Sequence, residues 1–342
     1  MLFRSAKGLD FYIALQGCYK PAEYIQLGKI IESNGFDRIY VYDDLMFYPS
    51  FPILSLIAEH TNRIELGPCL VNGFYRHPAL IASNAAFLDA VSKGRSILGL
   101  GRGAFFDFLN LKDKEKFTRK GFEETHQLVS HLFQQKQEEF RGKIFKTTAK
   151  AVLRVPTPAN PYFVTATWNT KMAYLGGKYS NEVQLAEVFT ETYLDEMLKS
   201  FQKGCSESKH NGAKHLSIGG MICVSDDSAK AIEKAKRTLA VYIPYLKTIL
   251  KQHKVDVKSK LIKEIDYESK RGNYFEASAL IPDDFVSILT LSGTPDDVAK
   301  RLKRLINGKP IKGIMFSPPY STFDSMEENI MYLSQNLLPK LQ

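Results

Sequence analysis

The chain has 342 residues, 44% hydrophobic and 24% charged, which is enough for a large core in one domain or two. Its formal charge of +9 comes from lysines interleaved with acids, as in KDKEK at residues 112–116, so it suits an anionic small cofactor better than nucleic acid. No apolar run nears the roughly 20 residues of a membrane span. The four cysteines (Cys18, Cys69, Cys205, Cys223) lack metal-ligand spacing and Met1–Asp10 has no apolar signal segment, so a cytoplasmic protein without disulfides or zinc is expected.

Leu9–Gln16 reads as the first strand. Lys20–Asn34 follows as a helix, with Pro21 in its first turn, Tyr24, Leu27 and Ile31 on one face, and Asn34-Gly35 as its stop. Phe36–Tyr42 is a second strand ending in Asp43-Asp44, and Pro52–His60 a short helix. Arg63–Val71, a helix opened by Pro78, and Ser96–Leu100 make a strand–helix–strand unit. Ile81, Ala85 and Leu88 form the buried face of its helix, and it closes on Gly99-x-Gly101-x-Gly103. That GxGxG spacing is not a dinucleotide fingerprint.

Farther along, Lys116–Gln135 reads as a helix, Glu139–Arg154 as a small hairpin and Tyr162–Ala166 as a strand. A helix to Lys178, a strand at Glu182–Glu187, a helix at Thr190–Lys203, a strand at His215–Val224 and a helix from Asp227 to Leu239 continue the alternation. Residues 240–290 are lysine-rich and read as a helical insertion. Thr294-Pro295-Asp296-Asp297 is a capped helix start. Ile311–Phe316 is the last strand and Asp324–Leu341 the closing helix. Eight strands, most followed promptly by a helix, favour a closed barrel over an open sheet. The expected organisation is one domain over 1–342 with insertions near 137–156 and 240–290.

Asp43-Asp44 is a pair of adjacent acids that could share a perturbed pKa or form a solvated helix start. Arg102 can bind an anion. His126 and His131 lie five apart on a helix and point in different directions, so no metal site is expected; His77 reads as a structural loop residue.

Several motifs fall together in order: Arg63-Ile64-Glu65-Leu66-Gly67-Pro68, Arg76-His77-Pro78, Leu88-Asp89-x-x-Ser92-x-Gly94-Arg95 and Leu98-Gly99-x-Gly101-x-Gly103. Gly142 with Phe145, Pro282-Asp283-Asp284-Phe285, Gly293-Thr294-Pro295-Asp296-Asp297 and Phe316-Ser317-Pro318-Pro319 extend the pattern. Together they resemble the luciferase-like flavin and deazaflavin oxidoreductases, most nearly the branch with methylenetetrahydromethanopterin reductase and other users of the deazaflavin coenzyme F-420. The resemblance implies an α/β fold, a (β/α)8 TIM barrel of the luciferase-like type with insertions, acting as a homodimer. It implies hydride transfer between coenzyme F-420 and a small organic substrate. The alternatives are an FMN-dependent monooxygenase and a degenerate cofactor- or pterin-binding member without turnover. The last is motivated by Asp44 and Ala104, which stand where relatives carry His and an acid.

The site it implies lies at the C-terminal strand ends. Asp43 or Asp44 would handle a proton. Cys69-Leu70 would form a non-prolyl cis peptide under the cofactor's middle ring, with Asn72, Arg102 and Gly103 alongside. Thr165, Ala166, Thr167, Trp168, Gly176 and Gly177 would hold the phosphate end, Trp168 by stacking. Gln16-Gly17, Asn181 and Ser317–Pro319 complete the strand ends named.

Overall fold

The computed structural model describes residues 8–103, 109, 117–158, 161–208, 214–252, 260–319 and 325–342. Its strands are β1 (Asp10–Leu15), β2 (Arg38–Val41), β3 (Glu65–Pro68), β4 (Leu98–Leu100), β5 (Phe140–Arg141), β6 (Lys146–Thr147), β7 (Phe163–Thr167), β8 (Glu182–Ala186), β9 (His215–Val224), β10 (Leu291–Gly293) and β11 (Ile311–Ser317). All eight strands expected from the sequence are present. They run parallel in the order β3-β2-β1-β11-β9-β8-β7-β4.

The ring closes where β3 meets β4, through the bridges Leu66–Ser96 and Val71–Leu100 rather than a full ladder. Pro68 brings no N–H to that seam. The Val71 N–H reaches Gly99 O at 3.0 Å and the Gly101 N–H reaches Val71 O at 3.1 Å. The glycines of the seam are a steric requirement: a Cβ at Gly67 would run into Ile97 O, and one at Gly99 into Pro68 O. The fold is the expected TIM barrel.

Strand side chains alternate between two layers. Phe11, Ile13, Leu15, Ile39, Val41, Leu66, Leu98, Leu100, Val183 and Leu185 face the helices. Tyr12, Ala14, Tyr40, Cys69, Ile97, Tyr162, Val164 and Met315 fill the barrel itself. At its N-terminal end the filling is ionic. Arg38, 4% exposed, donates to Glu182 at 2.8 Å and to Glu65 at 2.7 Å, with its guanidinium 4.2 Å from the Tyr12 ring centre. Tyr162 and Ser217 donate to the same Glu182 carboxylate. Burial alone would raise the Glu182 pKa, but Arg38 and these donors hold it below the usual carboxylate range.

The insertions differ from expectation in their bounds. The helix after β9 runs Ser228–Gln252, past Leu239, because Leu239, Ala240, Ile243, Leu246, Ile249 and Leu250 keep a helical apolar face beneath the lysines. Helices Lys260–Lys270, Tyr274–Ala279 and Asp283–Leu289 follow. So does β10, a strand the sequence did not announce, which pairs in parallel with the end of β9. The hairpin shrinks to β5 and β6. Glu124 clamps it by accepting the N–H groups of Lys143, Ile144 and Phe145 at 2.8–3.0 Å, and a Cβ at Gly142 would strike that carboxylate. Of the closing helix, the described part begins at Met326 and passes through a π turn, Leu333–Leu337, just before Pro339. A wider turn there removes the clash a proline makes with the carbonyl four residues earlier.

Candidate active site

Alternation carries the interior positions of β1 and β2 upward to Gln16, Tyr42 and Asp44 at the C-terminal mouth. Gln16 Nε2 donates to Asp44 Oδ2 at 3.0 Å, and Gln16 Oε1 accepts the Gly17 N–H at 2.8 Å. Tyr42 OH donates to Ser317 Oγ at 3.0 Å, joining β2 to the end of β11. Burial pushes the Asp44 pKa up and Asp43 adds to the effect, while the Gln16 amide offsets part of it. The two adjacent acids are not equivalent. Asp43 is saturated: Arg76 Nε and Nη2 grip both of its oxygens at 3.0 Å, and Ser50 donates N–H and Oγ–H at 2.9 and 2.8 Å. It ties Arg76 to the start of the helix Ser50–Glu59.

The Cys69–Leu70 peptide is cis, as the resemblance implied. Cys69 is buried, and burial followed by nearby acids pushes its thiol up to about 12, so it is neutral. Gly101 leaves the space that the Leu70 side chain occupies. Asn72 Oδ1 accepts the N–H groups of Phe74 and Tyr75, both at 3.0 Å, and its amide packs against Gly103, whose φ is +79°. Arg102, next to Gly103 in the chain, is exposed. Ala104 lies outside the described residues.

On β7, Ala166 faces the barrel interior, but Thr165 does not. Its Oγ1 lies 2.7 Å from Ser180 Oγ, beneath Gly176 in the outer layer. Gly176 and Gly177 sit in the body of the helix Thr170–Tyr179. A Cβ on the first would strike Val183 and Thr165, and one on the second Phe201 O, so both serve helix packing away from the mouth. The start of that helix is already occupied: Asn169 Oδ1 accepts the N–H groups of Lys171 and Met172, and Thr167 Oγ1 accepts the Asn169 N–H. Trp168 stands on the rim, 39% exposed. Asn181 is at the opposite end of the barrel, bonded to the Phe163 N–H where β7 begins. It precedes its strand instead of ending one.

The loop after β2 exposes Met46, Phe47 and Tyr48 and is pinned to β1 by the Tyr48 N–H on Gly17 O at 2.9 Å. A Cβ at Gly17 would strike Tyr48 O. His77 caps the helix Pro78–Ser92, and His126 lies against Phe163 with ring centres 4.2 Å apart. Among the described residues no group of three or more His, Cys, Asp or Glu is arranged to hold a metal. Nor is any helix among them long and apolar enough to cross a membrane.

Sequence reading missed Glu187. It follows β8, and strict alternation would send it outward with Val183 and Leu185. Its backbone is instead left-handed, with φ +62°. Its Oε2 accepts the Met221 N–H of β9 at 3.2 Å, and burial pushes its carboxyl up to about 7, with that N–H opposing. The available signal was Gly219-Gly220 on β9, since Gly219 pairs with Ala186 and Gly220 leaves room for the carboxylate.

The luciferase-like monooxygenase family model matches residues 11–308, and the chain belongs to that family. Over 97% of this chain it is 25% identical to 98% of the 5,10-methylenetetrahydromethanopterin reductase of Methanopyrus kandleri. It is 22% identical to an F-420-dependent glucose-6-phosphate dehydrogenase of Rhodococcus jostii, covering 84% of this chain and 86% of that one. The solved coenzyme F-420-dependent tetrahydromethanopterin reductase of Methanopyrus kandleri superposes with a TM-score of 0.84 at 23% identity, over 98% of this chain and all (100%) of that one.

Proposed function

We propose that this protein is an oxidoreductase that moves hydride between coenzyme F-420 and a small organic substrate, of the kind that methylenetetrahydromethanopterin reductase acts on. The observation that carries the reading is the likeness to that reductase over 97% of this chain and 98% of the other. The mouth fits a flat ring system. Ala14, Ala166, Gly99 and Gly101 keep side chains off the surface around Cys69–Leu70, and the Cys69 thiol offers no charge. Bound there, the deazaflavin would supply or accept hydride. Asn72 and Gly103 would brace the edge of that surface, Arg102 would meet the anionic tail, and Trp168 would stack at the rim. Thr167 and the Asn169-capped helix start leave the phosphate fewer free amides than the resemblance implied, which shifts that task toward Arg102. Asp43 positions the loop through Arg76. Asp44, with one oxygen on Gln16, would hold the proton.

The second reading, an FMN-dependent monooxygenase, is supported by the family's description as luciferase-like monooxygenases. Titration of the purified protein with coenzyme F-420 and with FMN, followed by cofactor absorbance, separates the two. Reduced F-420 should then be oxidised on adding methylenetetrahydromethanopterin. Binding of neither cofactor overturns both readings, and binding of F-420 without turnover selects the degenerate one. We also propose a homodimer, supported by Leu80 (58% exposed) and Phe87 (61% exposed) on the helix Pro78–Ser92. Light scattering should give twice the chain mass, falling to one in a Leu80→Glu, Phe87→Glu variant.

A further inference from the structure

We propose that Glu187 is a second acid–base group of the site, facing Asp44 across the barrel mouth and giving its proton to the substrate's heteroatom as the adjoining carbon gains hydride. This rests on the hydride-transfer reading above.

The placement is topological. From β2, which leads into Asp44, the ring passes β1, β11 and β9 before reaching β8, which leads into Glu187. Four steps in a ring of eight put the two carboxyls on opposite sides of one opening. The local backbone is arranged for this side chain. A left-handed φ is uncommon outside glycine and turns Glu187 away from the direction that alternation would give it. The Glu187 N–H is held by Gly219 O at 2.9 Å. Its Oε2 takes the Met221 N–H, and a Cβ on Gly220 would lie only 2.7 Å from that oxygen. The Gly219 carbonyl, the space at Gly220 and the Met221 amide, all on β9, thus accommodate a single carboxyl on β8.

The packing around it does not require an acid. The titratable groups facing it are Tyr42 from β2, Cys69 beyond β3 and Tyr193 from the helix Glu191–Ser206. Its charge contributes to raising all three, and Asp44 lies beyond Tyr42. Among the described residues no Lys or Arg pairs with it, in contrast to Glu65 and Glu182 at the other end of the barrel. Burial without a cation leaves the carboxyl titrating at about 7, where one group can both give and take a proton.

The step balances. With the reduced deazaflavin bound, the carbon of a substrate C=N or C=O would gain hydride with its electron pair. In a carbonyl or imine the π pair of the double bond moves onto the heteroatom and forms a bond to the Glu187 proton. Where a methylene carbon bridges two nitrogens, the proton goes to the nitrogen whose bond to that carbon breaks, and the π pair of the iminium so formed returns to the other nitrogen as hydride arrives. The Glu187 O–H bond breaks, and the carboxylate left behind is reprotonated from solvent. In the reverse direction Glu187 takes the proton as hydride leaves. The substrates that fit are therefore small carbonyl, imine or iminium-forming compounds and their reduced partners.

Glu187→Gln tests this, because the amide oxygen still accepts the Met221 N–H. In the cofactor-free protein, infrared difference spectra should show a carboxylic acid that titrates near pH 7 in the wild type and is missing in the variant. In the F-420-loaded protein supplied with methylenetetrahydromethanopterin, the variant should lose roughly 10²- to 10⁴-fold in kcat. It should also lose the wild type's fall in rate as pH rises through about 7, while F-420 affinity, read by cofactor fluorescence, stays the same. No acid titrating near pH 7, or a variant with wild-type kcat and pH profile, overturns the proposal while the hydride reading stands. A wild type that binds no F-420 overturns the hydride reading, and with it the proton's destination.

Discussion

The two ends of the barrel handle buried and half-buried acids in opposite ways. At the N-terminal end Glu182 and Glu65 share Arg38, and the hydroxyls of Tyr162 and Ser217 meet the remaining demand of Glu182. At the C-terminal end Asp44 has one amide partner and Glu187 one backbone N–H, and no cation compensates either among the described residues. The first arrangement makes ionised groups tolerable in the interior. The second leaves its acids without a compensating charge. One barrel thus carries a compensated floor and an uncompensated rim, and the difference can be probed from either side.

Breaking the floor should have the largest effect. Arg38→Met leaves Glu182 buried without its cation, a loss of about 3–5 kcal/mol, read as a lower urea midpoint or insoluble protein. At the rim the sign reverses. Glu187 titrates at about 7 folded against 4.5 unfolded, so the folded state binds the extra proton between those values. Its stabilisation is present below about 4.5 and lost as pH rises through 7. Glu187→Gln should therefore overtake the wild type by about 1–2 kcal/mol above pH 7 in urea unfolding. Asp44→Asn should follow the same direction more weakly, because Gln16 already supports the carboxylate, and should lower turnover while leaving F-420 affinity intact. Unchanged turnover would remove Asp44 from proton transfer.

The smallest effect sharpens the comparison. Asp10 lies at the floor, yet burial, with Asp37 next, raises it to about 6, and Arg38 lowers it too little to compensate. Its contribution is complete below about 3.8 and lost as pH rises through 6. Asp10→Asn should then gain at most about 1 kcal/mol at pH 7 after solvent screening, seen as a small rise in Tm. A larger gain would mean that Arg38 is not fully engaged by Glu65 and Glu182.

Much of this was legible in the chain. The eight barrel strands, the Pro78 helix and the Thr294 cap are local signals of period, proline and capping residue. Order of motifs over nearly the whole length indicated the family and the position of the cis peptide. Phosphate-end residues were less legible, because a glycine that admits a ligand and one that admits a neighbouring helix look alike in sequence. Gly176 and Gly177 proved to be the second kind. Adjacent acids likewise carry no mark of which is paired, and only Arg76 and Ser50, distant in sequence or in the next helix, separated Asp43 from Asp44.

By itself, then, the sequence determined the alternating α/β rhythm, the closed barrel and the family, because these follow from short-range periodicity and from motifs kept in order. Tertiary structure alone decided which acids are compensated. Whether a carboxyl meets a guanidinium or a single amide depends on strands far apart in the chain and neighbours in the ring. Glu187 is the clearest case: a left-handed turn and the space at Gly220 on another strand bring it toward the mouth, and no local pattern around residue 187 encodes that.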